Sequence, residues 1–200
     1  MKTTIAIKSI SAYILLTLTS AVFSQNMPPT HAQHSLSAAQ GAQASPYAGE
    51  QAREIKSLSP SDIRALQTGA GMGYAKAAEL NGYPGPMHVV ELAHPLRLSG
   101  AQRSASEQLL TSHKAKARAL GEQLLAAERA LDAAFASQQI DASRITVLTQ
   151  QIGALQAALR AEHLHTHLQQ TALLSTQQIA SYQSLRGYDK VANHTQHANH

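Results

Sequence analysis

The spacing of apolar residues between Leu98 and Leu159 confines this half of the chain to long α-helices. Apolar or small residues recur three and four positions apart, as they do on a helix face that packs along its length. The pattern stops at 138–140, and Asp141 is a suitable N-cap for a new helix from about Ala142. A loop this short makes the two helices antiparallel neighbours, so the sequence predicts a long helical hairpin. The predicted stripes are Leu110, Ala117, Leu124 and Leu131, then Leu120, Ala127 and Ala134, in the first helix, and Ile145, Leu148, Ile152, Leu155 and Leu159 in the second.

Shorter helices are predicted on both sides of this hairpin. Ser175 can cap a third helix that Gly187 ends. Before the hairpin, turn signals separate helical pieces that begin at Pro60, at about Tyr74 and at Met87, the last of them ending at His94. Alanine, leucine and glutamine dominate and tryptophan is absent, so we expect an all-α fold with almost no strand. A bare hairpin exposes its apolar stripe, so these short helices or a second copy of the chain must cover it.

The first 24 residues have the pattern of a secretory signal peptide. Lys2 and Lys8 form a short basic region before an apolar run that extends from about Ile10 to Val22. Ser24 then fits a cleavage site. The run is short for a membrane span, which takes about 20 residues, although an uncleaved N-terminal anchor is the alternative. We therefore expect export to the bacterial periplasm and cleavage after Ser24.

The remainder divides into four predicted segments. Residues 25–46 are rich in Pro, Ser, Gln and Ala without apolar periodicity, which is typical of a flexible linker. Residues 47–95 are predicted to form the cap of short helices, and 96–188 the helical-hairpin domain. Residues 189–200 form a His-rich tail that we expect to be disordered.

Composition excludes several classes of function. The chain has no cysteine, so it can form no disulfide, thiolate metal site or thiol nucleophile. Its formal charge of +4 falls to +2 without the two signal-peptide lysines, too weak for a nucleic-acid-binding surface. The glycine-rich segment 69–73 lacks the context of a phosphate-binding loop. No catalytic motif is present, so we expect neither an enzyme nor an obligatory cofactor.

Two copies of a short motif lie at the two ends of the predicted hairpin. Each fits Leu-Thr-x-x-Gln with serine replacing threonine, and in isolation each is also a sound helix start, an apolar residue followed by an N-cap. The arrangement resembles the Spy/CpxP family of periplasmic stress proteins and the related heavy-metal-resistance group. Arg160-x-x-His163-Leu164-x-x-His167 and the ending 182–188 strengthen this resemblance. The motif residues are Leu98, Ser99 and Gln102, and Leu174, Ser175 and Gln178.

The resemblance, which covers 98–188, implies a helical hairpin that is often dimeric. It also implies one of two activities. Such a protein either holds unfolding client proteins on a cradle surface, without ATP, or binds metal and reports it to a membrane-bound sensor or anti-sigma partner. The long N-terminal extension lies outside the resemblance.

Histidine is in clear excess, with 11 in the chain, and spacing indicates which can cooperate. His163 and His167 are four apart and share one helix face, whereas His165 points elsewhere. If the hairpin turns near Gln139, His113 lies opposite His165 and within a turn of the other two. These imidazoles, with Glu162 as an oxygen ligand, predict a site for zinc, nickel, cobalt or copper. Weaker candidates are His165 and the tail residues His194, His197 and His200.

Two alternatives to this site stay open at the level of sequence. His113 can be a polar interruption that sets the register of the helices, with 162–163 on a solvated helix end. Met72 and Met87 can add thioether ligands for copper, but we interpret them as filler of the core or cap. We therefore expect a heavy-metal-resistance or envelope-stress protein that binds a divalent metal through helix histidines, and a chaperone cradle is the alternative.

Overall fold

The computed structural model describes residues 44–189, and their fold is all-α. No strand occurs within these residues, and no helix among them is long and apolar enough to cross a membrane. The predicted signal peptide, the cleavage after Ser24, most of the linker and the tail histidines His194, His197 and His200 lie outside this range. A 3-10 turn, Glu50–Ala52, precedes α1 Pro60–Thr68, α2 Lys76–Glu79, α3 Pro86–Glu91, α4 Gly100–Ala136, α5 Ala142–Ala172 and α6 Thr176–Leu185.

Helices α4 and α5 form the predicted antiparallel hairpin. Asp141 caps α5 by accepting a hydrogen bond from the Arg144 backbone at 2.8 Å. The register also follows from contacts across the pair, since Gln170 donates to Ser106 at 3.0 Å and Thr166 lies 3.1 Å from His113. The hairpin and its turn position are thus confirmed.

The two Leu-Ser-x-x-Gln motifs are linked capping boxes. Ser99 and Ser175 each accept from the backbone of the glutamine three residues on, and each glutamine accepts from the serine backbone. The amides of Gln102 and Gln178 also bond each other reciprocally, at 2.9 and 3.0 Å. This pairing fixes the start of α6 against the start of α4, and so explains why both motifs end in glutamine.

The segment before the hairpin folds back on it as a cap. Ser59 and Asp62 form a capping box at the start of α1, and Gly69 ends α1 at a φ of 68°. Helix α1 lies so close to α4 that a Cβ at Gly121 would clash with the Leu66 carbonyl oxygen. Only glycine permits this approach without displacing the backbone. The cap is therefore packed directly on α4.

The prediction for the last cap helix was wrong at its boundaries. It was expected over Met87–His94, but α3 spans Pro86–Glu91. Pro86 occupies the first helical position, where the missing N–H has no partner to lose. The helix cannot extend to His94 because Pro95 disfavours the α conformation of the residue before it.

The main apolar core lies between α1, α4 and α5 and follows most of the predicted stripes. Its buried residues include Leu66, Ala117, Leu124 and Leu159. A second cluster joins Val89, Leu96 and Tyr182, and Leu98 and Leu174 of the two motifs pack against it.

Ile145 departs from the predicted stripe because its side chain is largely uncovered. It is 37 % exposed. Near this end of the hairpin the cap makes its contacts with α4, as in the 2.9 Å ion pair of Lys56 with Asp132. The first turns of α5 are consequently left open.

Candidate metal-binding cavity

A cavity of about 530 Å³ lies between the cap and the hairpin, lined by every histidine of the predicted central site. The loop 69–73, α2 and the start of α3 form one wall, and faces of α4 and α5 form the other. His113, His163 and His167 are thus brought to one space, as their register predicted. The other potential donors in the lining are His88, Glu79, Met72 and Met87.

Left-handed backbone and close glycine contacts shape the cap wall. Gly69, Met72 and Gly73 have φ values of 68°, 44° and 77°, so the loop after α1 turns sharply rather than continuing as helix. Farther along, a Cβ at Gly85 would lie 2.7 Å from Cε1 and 2.8 Å from Nε2 of His167. The sequence therefore needs glycine at position 85 for the cap to sit against α5.

His163 is buried with one ring nitrogen unpaired. Its Nδ1 lies 2.9 Å from the Leu159 carbonyl oxygen. A carbonyl can only accept, so Nδ1 carries the proton and Nε2 carries the lone pair. That Nε2 is buried and has no hydrogen-bond partner in the described part of the chain. His163 thus presents an unused lone pair in an enclosed position.

His113 packs against this ring from the facing helix. The two imidazoles meet edge to face with centroids 4.6 Å apart. Nδ1 of His113 lies 3.1 Å from Thr166 Oγ1 and 3.4 Å from Glu162 Oε1. Burial, and then the neighbouring His163, lower the pKa of His113, while Glu162 opposes the shift. A lowered pKa keeps His113 neutral, the state in which imidazole binds metal.

His167 and His88 are held in the same way. Nδ1 of His167 lies 2.7 Å from the Tyr83 carbonyl oxygen, and Nδ1 of His88 lies 2.9 Å from Glu91 Oε2. All four cavity histidines therefore have an oxygen partner at Nδ1. Oxygen partners at one ring nitrogen fix the tautomer and orientation of metal-binding histidines, leaving Nε2 for the ion.

Glu79 connects the cavity to the C-terminal helix. Its Oε1 accepts from the Tyr182 hydroxyl at 2.6 Å and the Tyr188 hydroxyl at 3.0 Å. Burial, and then the bond to Glu79, raise the pKa of Tyr182, so the hydroxyl stays protonated as a donor. The other carboxylate oxygen, Oε2, is buried, and no residue in 44–189 bonds to it. It lies 3.7 Å from Nδ1 of His167.

Two of the other predicted ligands lie away from the cavity. Glu162 is not part of its lining and instead contacts His113 and Thr166 from behind. His165 is exposed on the opposite side of α5. Within residues 44–189 no three His, Asp or Glu side chains already converge on a point that could hold an ion. Three such donors would meet at one ion only after rotation of at least one side chain.

Sequence reasoning missed the cap's contribution to this cavity. The interpretation of the methionines as filler was wrong, since Met72 and Met87 are 41 % and 44 % exposed and line the cavity. His88 and Glu79 were not considered. One sequence signal for this cap wall is that both methionines lie within two residues of a glycine, in Gly71-Met72-Gly73 and Gly85-Pro86-Met87.

No family model, curated protein or solved structure matches this chain. The resemblance to the Spy/CpxP family and the heavy-metal-resistance group therefore stays a prediction, and the function must be argued from the cavity itself.

Proposed function

We propose that this is a periplasmic heavy-metal-resistance or envelope-stress protein that binds a divalent transition metal, and not an enzyme. The ion is zinc, nickel, cobalt or copper, held by imidazoles of the cavity. The observation that carries the proposal is Nε2 of His163, a buried lone pair without a hydrogen-bond partner among residues 44–189. His113 on the facing helix and His167 one turn along α5 supply the adjacent nitrogens.

The energetics of burial support a role for this imidazole beyond packing. A buried polar atom without a hydrogen bond costs about 1–3 kcal/mol, whereas an apolar side chain of similar shape avoids that cost. The stripe on α5 could carry leucine at position 163 as it does at Leu159. A bound cation offsets the cost because it accepts the lone pair of Nε2 directly.

The anchored tautomers define how the site fills. His113 and His163 form the first pair, since both are buried and their rings already touch. His167 joins them through Nε2, while its Nδ1 stays hydrogen-bonded to the Tyr83 carbonyl oxygen. Glu162 then acts behind His113, holding its Nδ1 and balancing part of the charge of the ion.

Calorimetric titration tests the proposal directly. The titrated protein is the expected mature chain, with His194, His197 and His200 changed to asparagine so that the tail cannot contribute. We expect one zinc, nickel, cobalt or copper(II) ion per chain with a Kd of about 1 μM or below, near −8 kcal/mol. His163→Ala with His167→Ala should weaken binding by at least about tenfold without loss of helicity.

His165→Ala is the matched control, because this histidine lies on the same helix but is exposed away from the cavity. It should bind metal as tightly as the parent chain. Unchanged affinity in the double variant, or equal losses in the control, would contradict the cavity assignment.

The second candidate is an ATP-independent chaperone that holds unfolding clients. Exposed apolar residues at the closed end of the hairpin favour it: Phe135 is 54 % and Val147 59 % exposed. The same surface is suited to contact with a second copy of the chain. Metal binding in the cavity is the event that a membrane-bound sensor or anti-sigma partner would detect. These partner classes follow from the resemblance and are part of the proposal.

A further inference from the structure

The cap side of the cavity carries soft sulfur donors beside the histidines. Met72 and Met87 are both in its lining, and both are well exposed rather than packed in the core. Thioether sulfur binds Cu(I) and has little affinity for harder divalent ions, whereas imidazole accepts both kinds. The cap and the hairpin therefore contribute different ligand chemistry to one space.

Each methionine lies within two residues of a glycine that approaches a histidine of α5. Met72 follows Gly71, where an added Cβ would lie 3.9 Å from Cδ2 of His163. Met87 comes two residues after Gly85, whose added Cβ would clash with the ring of His167. Both thioethers thus line the same cavity as the two histidines that share the face of α5.

The backbone at Met72 also indicates a role for this side chain. Its φ of 44° lies in the left-handed region, between two glycines of which Gly73 is itself left-handed. Such a conformation is uncommon for residues other than glycine, and asparagine or aspartate adopts it more readily than methionine. Met72 is thus held in this conformation at the cavity wall without being packed in the core, which suits a ligand role for its sulfur.

We propose that this cavity selects Cu(I), held by the Met72 and Met87 thioethers together with His163 and His167. The inference rests on the proposed metal-binding function and extends it from divalent ions to the monovalent ion Cu(I), for which thioether sulfur is a preferred ligand. It also suits the lack of a preformed three-donor site among the His, Asp and Glu residues of 44–189, because two of the donors are sulfur. Copper is bound and released as Cu(I), so its oxidation state does not change.

X-ray absorption at the copper edge provides a specific test, because the chain has no cysteine. Any sulfur bound to copper must come from one of the 4 methionines, of which Met1 is removed with the signal peptide. The protein is the expected mature chain with the three tail histidines changed to asparagine, loaded with Cu(I) under anaerobic reducing conditions. We expect sulfur and nitrogen scatterers at the copper in this protein, and loss of the sulfur signal in Met72→Leu/Met87→Leu.

Met27→Leu is the matched control, since this methionine belongs to the predicted linker. It should keep the sulfur signal. Competition with a chromogenic Cu(I) chelator should show affinity lowered at least about tenfold in the Met72→Leu/Met87→Leu variant, with zinc affinity unchanged. Circular dichroism checks that both leucine variants fold, as the nearly isosteric exchange predicts.

The outcomes separate the two proposals. Copper bound by nitrogen and oxygen alone, or Cu(I) affinity that survives both leucine exchanges, overturns the selection of Cu(I) by methionine. If zinc binding still depends on His163 in that case, the proposed metal-binding function stands. If the parent chain binds no metal at all, both proposals fail.

Discussion

Two layers of the same hairpin differ in chemistry although they share one spacing. Toward the turn, the buried positions of α4 and α5 are apolar, as at Leu124, Ile152 and Leu159, with the exception of Glu128, which accepts a hydrogen bond from Ser57. Toward the open end, the same three-and-four spacing continues, but the buried residues become polar. These are Ser106 and His113 on α4, and His163, Thr166 and Gln170 on α5.

The difference between these layers shows what spacing determines and what it leaves open. Spacing alone makes both layers helical and buried. Within the described residues, the polar layer adds buried atoms without hydrogen-bond partners, namely Gln170 Oε1 and His163 Nε2. We infer that the apolar layer supplies stability and that the polar layer supplies binding, so substitutions in the two layers should affect different measurements.

The largest effect on stability is expected from Leu159→Ala in the apolar layer. Leu159 is 2 % exposed and belongs to the main core, so truncation leaves a cavity as well as losing buried surface. The free energy of unfolding should fall by about 2–5 kcal/mol. Urea denaturation, followed by circular dichroism, measures this change.

Leu168→Ala is the control on the same helix, because its side chain is 52 % exposed. It should change the free energy of unfolding by no more than about 0.5 kcal/mol. Metal affinity of the folded protein should be unchanged in both variants. A loss of metal binding in folded Leu159→Ala would mean that the two layers are not separable.

His163→Leu in the polar layer should change the free energy of unfolding less than Leu159→Ala does, and it should change metal affinity more. The leucine removes the unpaired Nε2 and leaves no new polar atom unsatisfied, because the Leu159 carbonyl keeps its helical bond. The free energy of unfolding should change by less than about 1 kcal/mol. Titration with zinc and copper should show binding weakened at least about tenfold. Strong destabilisation with intact binding would reverse the assignment of the layers.

The sequence was sufficient for the hairpin because helical periodicity carries the required information. The turn near Gln139 sets the register, and the register alone predicts that His113 lies near His163, as the ring contact confirms. The N-caps Asp141 and Ser175 were equally readable, since capping is a local property of the chain. The histidines on the hairpin side of the cavity follow from such local rules, whereas the predicted ligand Glu162 lies outside the lining.

The cap side could not be predicted in the same way. Its helices are only four to nine residues long, so they carry little periodicity, and their positions depend on contacts distant in sequence. Met72 adopts its φ of 44° against its own preference, and the contact of Gly85 with His167 spans 82 positions of the chain. The placement of Met72, Met87 and His88 in one cavity therefore depends on how the cap folds against α5, although the sequence identifies both methionines as possible copper ligands.

Acidification should weaken the metal-free protein through the polar layer. Burial and His163 lower the pKa of His113 from its usual 6.5, against the opposing Glu162 carboxylate, so the folded state resists protonation that the unfolded state accepts. Stability should therefore fall as pH drops below 6.5 and stop falling once pH passes the lowered pKa. Thermal unfolding between about pH 7.5 and about pH 4.5 is the measurement, an interval of about three pH units that contains the ordinary histidine value.

His113→Asn removes this titrating group while keeping a polar side chain that can reach Thr166. Its stability should depend less steeply on pH than that of the parent chain over the same interval. Equal slopes would show that His113 is hydrated in the folded protein, contrary to a buried polar layer.

The smallest change in stability is expected at the closed end of the hairpin. Phe135→Ser and Val147→Ser replace side chains that are more than half exposed, so each should shift the free energy of unfolding by no more than about 0.5 kcal/mol. Metal binding should be unaffected. If this surface holds clients, the double variant should lose the ability to suppress aggregation of a reduced, unfolding test protein. A second copy that covers the surface would give a different result. The stability of the parent chain would then rise with protein concentration, and the substitutions would lower the free energy of unfolding by well over about 0.5 kcal/mol. In that case the apolar end belongs to a dimer interface, and contacts between two chains add to the stability that the apolar layer supplies.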